Sequence, residues 1–454
     1  MNFRRSIWVD SLLITAAAGI IQLLLFLYLD GGVIPFESNS FLLIYNEPRP
    51  LAQIIFDPRR TDWGLYQARE LSYFFDALDA RFIAWCIRAG IAHLLSLSTL
   101  FFMLGTVFLQ QYAFRRHFPR LGAAAGLLSL LYVLTPCAFN PLFFRSAKPG
   151  TAFIITASLA LATELLRRRR KSYAGWVGFA ALLLLGCGFD RTGLLYASGC
   201  AMSGAALWIL AAAGVFRVRP DGWRNLAVAA LAAVLAATIY NLLLAPLLIQ
   251  AFNGYQPDFS YQRLSGLPPE WLAALSFTFG NFGNAFSSFG GVPAALIGGV
   301  LALLFAVLMR RNRVLLTLWL AAFAATFAAA ALMAARHPPL LDENVARGGY
   351  YLPFFTLLIF LLGIAAGQEK LARPAVLLAV VAGIILRLTI AHPAFSVPDA
   401  RNPRKAATEA MVRALDDPDY DPYYPPLPYP SQVVVEFFRN RTDDGDGSIH
   451  RSNE

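Results

Sequence analysis

Residues 292–309 read VPAALIGGVLALLFAVLM, an unbroken apolar run that Arg310 and Arg311 follow directly. A transmembrane helix needs about 20 predominantly apolar residues, so this run is long enough to cross a bilayer. Similar runs recur along the chain, separated by short polar stretches. Because backbone polar groups in hydrocarbon must be satisfied within their own segment, these Leu- and Ala-rich runs predict transmembrane helices.

The overall composition excludes a soluble globular protein. Hydrophobic residues make up 57% of the chain and charged residues only 15%, whereas an ordinary soluble domain has about 25% charged residues. The short segments of alternating hydrophobicity that are typical of a transmembrane barrel do not occur in the sequence. The predicted fold class is therefore all-α, a polytopic transmembrane helical bundle.

The apolar runs predict about eleven spans. They lie near residues 8–28, 83–113, 121–142, 150–166, 173–190, 193–215, 224–250, 292–309, 314–335, 350–366 and 374–391. Residues 1–391 are thus predicted to form one transmembrane domain. Residues 392–454 form a tail rich in Pro, Tyr and Asp, whose composition favours an extended segment with a disordered end.

Basic residues occur at every second junction between the predicted spans. The six clusters are Arg4-Arg5, Arg115-Arg116 with Arg120, Arg167 to Lys171, Arg217 with Arg219 and Arg224, Arg310-Arg311 with Arg313, and Lys370 with Arg373. The positive-inside rule places these clusters and the N-terminus in the cytoplasm. With an odd number of spans, the C-terminus is predicted to be external. The net charge of +10 is attributed to this bias and not to nucleic-acid binding.

Three predicted external segments are long, namely residues 30–82, 251–291 and the tail 392–454. The cytoplasmic connections are short, so we expect any chemistry on the outer face. Within the second segment, Gly280 to Asn284 resemble no phosphate-binding motif. We interpret them as flexible turns beside an interfacial helix at Trp271.

The first external loop contains DPRRTDWGLYQARELSYFFD, residues 57–76. A juxtamembrane helix is predicted from about Asp62 to Phe82, with an apolar stripe suited to the membrane surface and a polar face on another side. The stripe comprises Leu71, Phe74, Phe75, Leu78 and Phe82, and the polar face comprises Asp62, Tyr66, Arg69, Tyr73 and Asp76. Spacing alone favours an interfacial helix that carries solvated charges and i, i+4 pairs, with a functional site as the alternative.

The predicted topology and this loop resemble the GT-C superfamily of integral membrane glycosyltransferases, which includes protein O-mannosyltransferases and aminoarabinose transferases of lipid A. A second similarity is RGGYYLP, residues 347–353, which opens the tenth predicted span from the outside. The resemblance implies transfer of a sugar from a polyprenyl-phosphate lipid to a glycan, lipid or protein acceptor. It also implies a bacterial plasma membrane location with an external active face.

The resemblance further implies a catalytic base in the first external loop, for which Asp62 is the first candidate and Glu70 the second. A carboxylate at the dry edge of a membrane suits this role because its pKa can be raised toward working pH. Candidate substrate-binding residues, with Arg347 favoured for the donor phosphate, are Tyr66, Arg69, Arg145, Lys148, Arg191, Arg347 and Tyr351. No metal or other cofactor is required, although a first-loop carboxylate could hold a divalent cation.

Two other functions remain open from the sequence. One is a lipid or glycan transporter or flippase, although the predicted span centres carry few of the ionisable residues that ion-coupled transporters use. The other is a non-catalytic membrane protein of envelope assembly. Asp190 and Arg191 are interpreted as a local ion pair at the outer end of the fifth predicted span, with a phosphate site as the alternative.

Overall fold

The computed structural model of the protein describes residues 2–28, 45–57, 69–89, 96–135, 146–167, 172–216, 218–255, 271–287, 289, 291–336, 348–389, 417 and 419. Within these residues every regular element is a helix. The α-helices are α1 Asn2–Tyr28, α2 Leu51–Ile55, α3 Glu70–Arg88, α4 Leu97–His117, α5 Ala123–Leu134, α6 Ala147–Arg167, α7 Tyr173–Phe189, α8 Arg191–Ala212, α9 Pro220–Ile239, α10 Ala245–Asn253, α11 Trp271–Leu275, α12 Asn281–Ser287, α13 Gly291–Met309, α14 Arg313–Arg336, α15 Leu352–Gln368 and α16 Ala372–Thr389.

Short segments of other helix types join several of these elements. The π-helical segments Tyr240–Leu244 and Ser276–Gly280 connect α9 to α10 and α11 to α12. The 3₁₀ turns Pro119–Leu121 and Gly348–Tyr351 precede α5 and α15. The helix from α9 to α10 is therefore continuous, and its apolar stretch covers Pro220–Asn253.

Eight helices of the described residues are long and apolar enough to cross a membrane. They are Ser6–Leu24, Leu97–His117, Ala147–Arg167, Arg191–Ala212, Pro220–Asn253, Gly291–Met309, Arg313–Met333 and Gly349–Gln368. Shorter apolar helices at Ala123–Leu134, Tyr173–Phe189 and Ala372–Leu386 coincide with other predicted spans. For the described residues, the predicted helical fold with several helices long enough to span a membrane is thus confirmed, while the span number and the orientation stay predictions.

Helix α15 lies at the centre of the bundle. Of its apolar stretch 83% is buried, against 28% for α13, whose leucines and valines face outward. It packs against α6, α14, α5 and α16. A Cβ atom added at Gly363 would lie only 2.3 Å from the Phe114 ring of α4. The small residue therefore permits a close helix approach, as small residues commonly do between membrane helices.

The predicted cytoplasmic ends of α4, α6, α14 and α15 lie at one end of the bundle. Arg116 binds Glu164 at 3.0 Å, which joins α4 to α6. Asn312, just before α14, donates a hydrogen bond of 2.9 Å to Gln368 at the end of α15. We call this end the inner end and the opposite end the outer end, following the predicted orientation.

The predicted second span, 83–113, has wrong boundaries. Residues 83–88 belong to α3, and the long apolar helix begins only at Leu97. The cause is Asp79, which accepts hydrogen bonds from the Ser98 backbone nitrogen, at 3.0 Å, and from the Ser96 hydroxyl. The bond from Ser98 satisfies a free backbone N–H group at the start of a new helix, and so favours a break between the two helices.

The interpretation of Gly280 to Asn284 as flexible turns is also wrong. These residues continue from a π-helical segment into α12, whose residues are all buried. A Cβ atom at Gly283 would lie 1.9 Å from the Ala294 carbonyl oxygen of α13. Glycine is therefore required for backbone contact between two packed helices, and not for a mobile turn.

Candidate functional site

The site is built around Asp190, the single residue between α7 and α8. Asp190 has extended backbone angles and caps the start of α8. Its Oδ1 accepts hydrogen bonds from the backbone nitrogen of Thr192 at 2.9 Å and from the Thr192 hydroxyl at 2.5 Å. This is the usual role of an Asp at a helix N-cap, so the sequence Asp-Arg-Thr fixes the carboxylate locally.

Two cations from other parts of the chain bind the same carboxylate. Lys148 Nζ, in the first turn of α6, lies 2.6 Å from Asp190 Oδ1. Arg69 Nη2, just before α3, lies 2.9 Å from Asp190 Oδ2. The Asp190 side chain is 1% exposed and both cationic side chains are 14% exposed. The ion pairs are therefore shielded from water and weakly screened by salt.

Lys148 makes two further contacts in the same place. Its Nζ donates a hydrogen bond of 3.2 Å to Thr192 Oγ1. The same atom lies 4.5 Å from the centre of the Tyr350 ring, within the range of a cation–π interaction. We name the group Arg69, Lys148, Asp190, Thr192 and Tyr350 the outer cation site. It joins α3, α6, the α7–α8 junction and the turn before α15.

The charges of the outer cation site favour an anion. Burial by itself would raise the pKa of Asp190, but the positive charges of Lys148 and Arg69 hold that pKa below its ordinary value. Asp190 is therefore ionised at neutral pH, and two cations share its charge. Arg191 lies close enough to add to the positive potential at Lys148. A phosphate or carboxylate group next to Lys148 and Arg69 would complete this arrangement.

An apolar groove of about 280 Å³ lies between α6, α8, α14 and α15 and extends to α9. Its walls are mainly aliphatic and aromatic side chains. Thr192 and Pro353 line its outer part, and Arg167 and Gln368 line its inner part. The distance from Pro353 to Gln368 along α15 is about 22 Å at a rise of 1.5 Å per residue. The groove therefore covers most of a hydrocarbon core of about 30 Å.

The groove and the outer cation site are continuous. Thr192 lines the groove and also binds Lys148 and Asp190. Tyr350, which contacts Lys148, is three residues before Pro353 of the groove wall. The arrangement matches an amphiphile that has an anionic group at the outer end and an apolar chain between the helices.

Helix α3 attaches the first external loop to the outer ends of several spans. Asp76, fully buried, accepts hydrogen bonds from the Ser146 backbone nitrogen at 2.7 Å and hydroxyl at 2.8 Å, at the start of α6. Asp79 binds the start of α4 in the same way. Arg69, Asp76 and Asp79 thus hold the starts of α8, α6 and α4. The described residues of the predicted polar face, Arg69, Tyr73 and Asp76, point into the protein.

Several predicted site residues meet in this region. Arg69 and Lys148 come together on Asp190, and Arg191 follows directly in the chain. Glu70 lies close enough to interact electrostatically with the hydroxyl of Tyr240, where the π-helical segment of the α9–α10 helix begins.

Tyr351 has a packing role, and other predicted residues lie outside the described part. The Tyr351 ring is fully buried, 5.7 Å from the Phe277 ring, inside the hydrophobic core. The predicted residues that lie outside the described residues are Asp62, Tyr66, Arg145 and Arg347.

Asp190, Thr192 and Tyr350 were missing from the predicted site. The sequence interpretation made Asp190 the local partner of Arg191, but the structure shows it bound by Lys148, 42 residues away, and by Arg69. The N-cap pattern of Asp190 and Thr192 is visible in the sequence. The two cations are not, because only the packing of α6 and α3 against the α7–α8 junction brings them there.

Within the described residues, no group of three or more His, Cys, Asp or Glu side chains could hold a metal ion. No protein-family model matches this chain, and comparisons with curated proteins and with solved structures found no match either. The functional conclusion therefore depends on the site and the groove themselves.

Proposed function

We propose that the protein is a membrane glycosyltransferase that transfers a sugar from a polyprenyl-phosphate lipid to a glycan, lipid or protein acceptor. The reaction would occur at the outer face of the bacterial plasma membrane. The observation that carries this proposal is the continuity of the outer cation site with the apolar groove at Thr192. A polyprenyl-phosphate sugar has the matching order of parts, because its phosphate joins a polar sugar to a long apolar chain.

Sugar transfer needs a base and a stabilised leaving group. The acceptor oxygen forms a bond to the anomeric carbon, and the bond from that carbon to the phosphate oxygen breaks. A carboxylate takes the proton of the acceptor hydroxyl, and the polyprenyl phosphate leaves with the electron pair of the broken bond. Lys148 and Arg69 would stabilise the charge on that phosphate, Arg69 as a planar donor and Lys148 as a point charge.

Two first-loop carboxylates are candidates for the base. Asp62 is the choice made from the sequence. Glu70 gains support from its position, because it is the neighbour of Arg69 in the chain and its carboxylate interacts electrostatically with the hydroxyl of Tyr240. The Tyr240 contact occurs at a π-helical segment, and such segments are frequent at functional sites.

The test is sugar transfer by the purified full chain from radiolabelled polyprenyl-phosphate sugars to membrane acceptors. Asp62→Asn and Glu70→Gln keep the shape of each side chain but remove its ability to take a proton, so the base variant should lose about 10²–10⁴-fold in rate. Arg347→Ala should chiefly raise the donor concentration required. Full activity in both carboxylate variants would contradict the assignment of the base to this loop.

A lipid flippase is the second candidate function, and one observation favours it. The groove has polar side chains at its inner part, including Arg167 and Gln368, as well as Thr192 at its outer part. An amphiphile could therefore contact polar groups near both ends. Movement of a fluorescent polyprenyl phosphate across vesicles that contain the protein, without any sugar transfer, would favour this function over the transferase.

A further inference from the structure

The inner end of the groove contains a cation of its own, Arg167, in the last turn of α6. Its guanidinium lies 4.8 Å from the centre of the Phe118 ring, and its Nη1 donates a hydrogen bond of 2.5 Å to the His117 carbonyl oxygen. Arg167 and Phe118 both line the groove. These contacts hold the guanidinium at the groove opening while the side chain remains exposed.

The nearby acidic side chain has other side-chain partners. Glu164, one turn before Arg167, binds Arg116 at 3.0 Å and His117 at 3.3 Å. In the part of the chain that the structure describes, the contacts of Arg167 are a neutral carbonyl and an aromatic ring. Neither contact neutralises the guanidinium.

The polar groups beside Arg167 form a narrow rim around an apolar interior. Asn312 and Gln368 line the same end and are hydrogen-bonded to each other at 2.9 Å. Above them the walls are aliphatic, with Leu166, Leu315 and Leu361. A soluble anion would neutralise the cation but would leave the apolar walls uncovered. An anionic lipid would neutralise the cation and cover the apolar walls with its acyl chain.

We propose that the inner end of the groove is a binding site for an anionic phospholipid of the inner leaflet. Its phosphate headgroup binds Arg167, and one acyl chain extends outward between α6, α8, α14 and α15. This site is separate from the outer cation site and does not depend on the proposed sugar transfer.

The volume of the groove limits the number of lipid chains that it can hold. A volume of about 280 Å³ is just below the range of about 300–1,000 Å³ for pockets that hold one small ligand. The inner-leaflet lipid and an amphiphile held at the outer cation site therefore use the same apolar space. Their binding is therefore competitive, and each lipid raises the concentration of the other that is needed for half-saturation.

The experiment is native mass spectrometry of the purified full chain, titrated with phosphatidylglycerol or with zwitterionic phosphatidylcholine. Arg167→Gln should weaken phosphatidylglycerol binding about fivefold, the effect of one basic residue near a membrane surface. Arg167→Lys keeps the charge and should keep most of the affinity. The matched control is Arg310→Gln, because Arg310 is an exposed inner-end arginine that does not line the groove.

Three outcomes would overturn the proposal. These are equal binding of both lipids, an equal loss in Arg167→Gln and Arg310→Gln, and a loss in Arg167→Lys as large as that in Arg167→Gln. Adding phosphatidylglycerol should also raise the concentration of polyprenyl phosphate needed for half-saturation. If phosphatidylglycerol did not affect the binding of polyprenyl phosphate, this result would contradict the claim that the two lipids share the groove. Because no result depends on sugar transfer, the two proposals can fail separately.

Discussion

At the scale of single residues, the outer cation site depends on one buried carboxylate. Asp190 is bound by Lys148 and Arg69 and also caps α8, so its removal affects three elements. Removing one partner of a buried ion pair typically costs about 3–5 kcal/mol, because the remaining charge is left without compensation. The partial exposure of Lys148 and Arg69 places the expected cost at the lower end of this range.

Asp190→Asn should therefore lower the thermal unfolding temperature of the purified protein. The same variant should gain more stability than the natural protein from added polyprenyl phosphate, because its two cations have lost their internal counter-charge. Thermal unfolding in detergent, with and without the lipid, measures both effects. Equal stabilisation of the two proteins by the lipid would contradict an anion site at Lys148 and Arg69.

Asp79 is a second buried carboxylate with a pH-dependent role. Burial raises its pKa, although the hydrogen bonds from Ser96 and Ser98 oppose this effect. The folded protein thus holds the Asp79 proton more tightly than the unfolded chain, whose pKa is about 3.9. The contribution of this group to stability is present in acid and is lost as the pH rises through the folded-state pKa.

Asp79→Asn stays neutral and should escape this loss. The difference between the unfolding temperature of Asp79→Asn and that of the natural protein should become more positive as the pH increases from about 4 to neutrality. The serine hydroxyls can rotate to accept from the new amide, so the fold is kept. Asp221→Asn, at a carboxylate that is 65% exposed, is the control. A difference that does not change with pH would contradict this account.

At the scale of elements, α3 carries apolar side chains on two sides. The sequence therefore predicts its apolar residues but not which of them face the protein. Its helical period identified the stripe Leu71 to Phe82 and the polar face. It could not show that Leu71 and Phe75 pack inward against Phe102 and Phe189, whereas Phe74 and Leu78 point outward. The side that faces the protein is decided by the attachments of Asp76 and Asp79, which are tertiary contacts.

The outward side of α3 is expected to lie in the outer leaflet. Trp85 is 59% exposed and stacks on Phe82, with 5.9 Å between ring centres. Aromatic side chains are enriched at the membrane interface. In vesicles, brominated lipids should quench Trp85 fluorescence, measured as the difference between the natural protein and Trp85→Phe. Quenching by aqueous iodide but not by brominated lipid would contradict this placement.

The spans were predictable and the outer cation site was not, for a physical reason. An apolar run such as residues 292–309 predicts a membrane helix by itself, because a helix in lipid satisfies its backbone hydrogen bonds within its own segment. The partners of Asp190 come from α6 and from the residue before α3, so no local pattern indicates them. The sequence indicates Lys148 and Arg69 only as separate candidates, and the fold brings them together on Asp190.

At the scale of the whole molecule, orientation decides which end of the groove faces which leaflet. The arginine clusters predict a cytoplasmic N-terminus and an external C-terminus. A reporter that is active only outside the cytoplasm should therefore be active when fused after Glu454. Activity only of a cytoplasmic reporter at that position would reverse the outer and inner ends. It would also move the proposed transferase site to the other face.

The central claim is that the outer cation site and the groove together bind a polyprenyl phosphate. Lys148 supplies the charge at the outer end, and Ala325 is a small, exposed residue of the groove wall. Lys148→Gln removes the charge, and Ala325→Trp fills the apolar space. Two matched controls are Lys370→Gln, at an exposed lysine, and Ala324→Trp, at an exposed alanine outside the groove.

The most direct measurement is the affinity of these proteins for polyprenyl phosphate and for the uncharged polyprenol, determined by native mass spectrometry. Hydrogen bonds to charged groups contribute about 1.5–3 kcal/mol, so Lys148→Gln should bind polyprenyl phosphate at least tenfold more weakly. It should bind polyprenol as the natural protein does. Ala325→Trp should bind both lipids weakly, and both controls should be unchanged. Equal affinity of the natural protein for the two lipids, or unchanged phosphate binding in Lys148→Gln, would contradict the account.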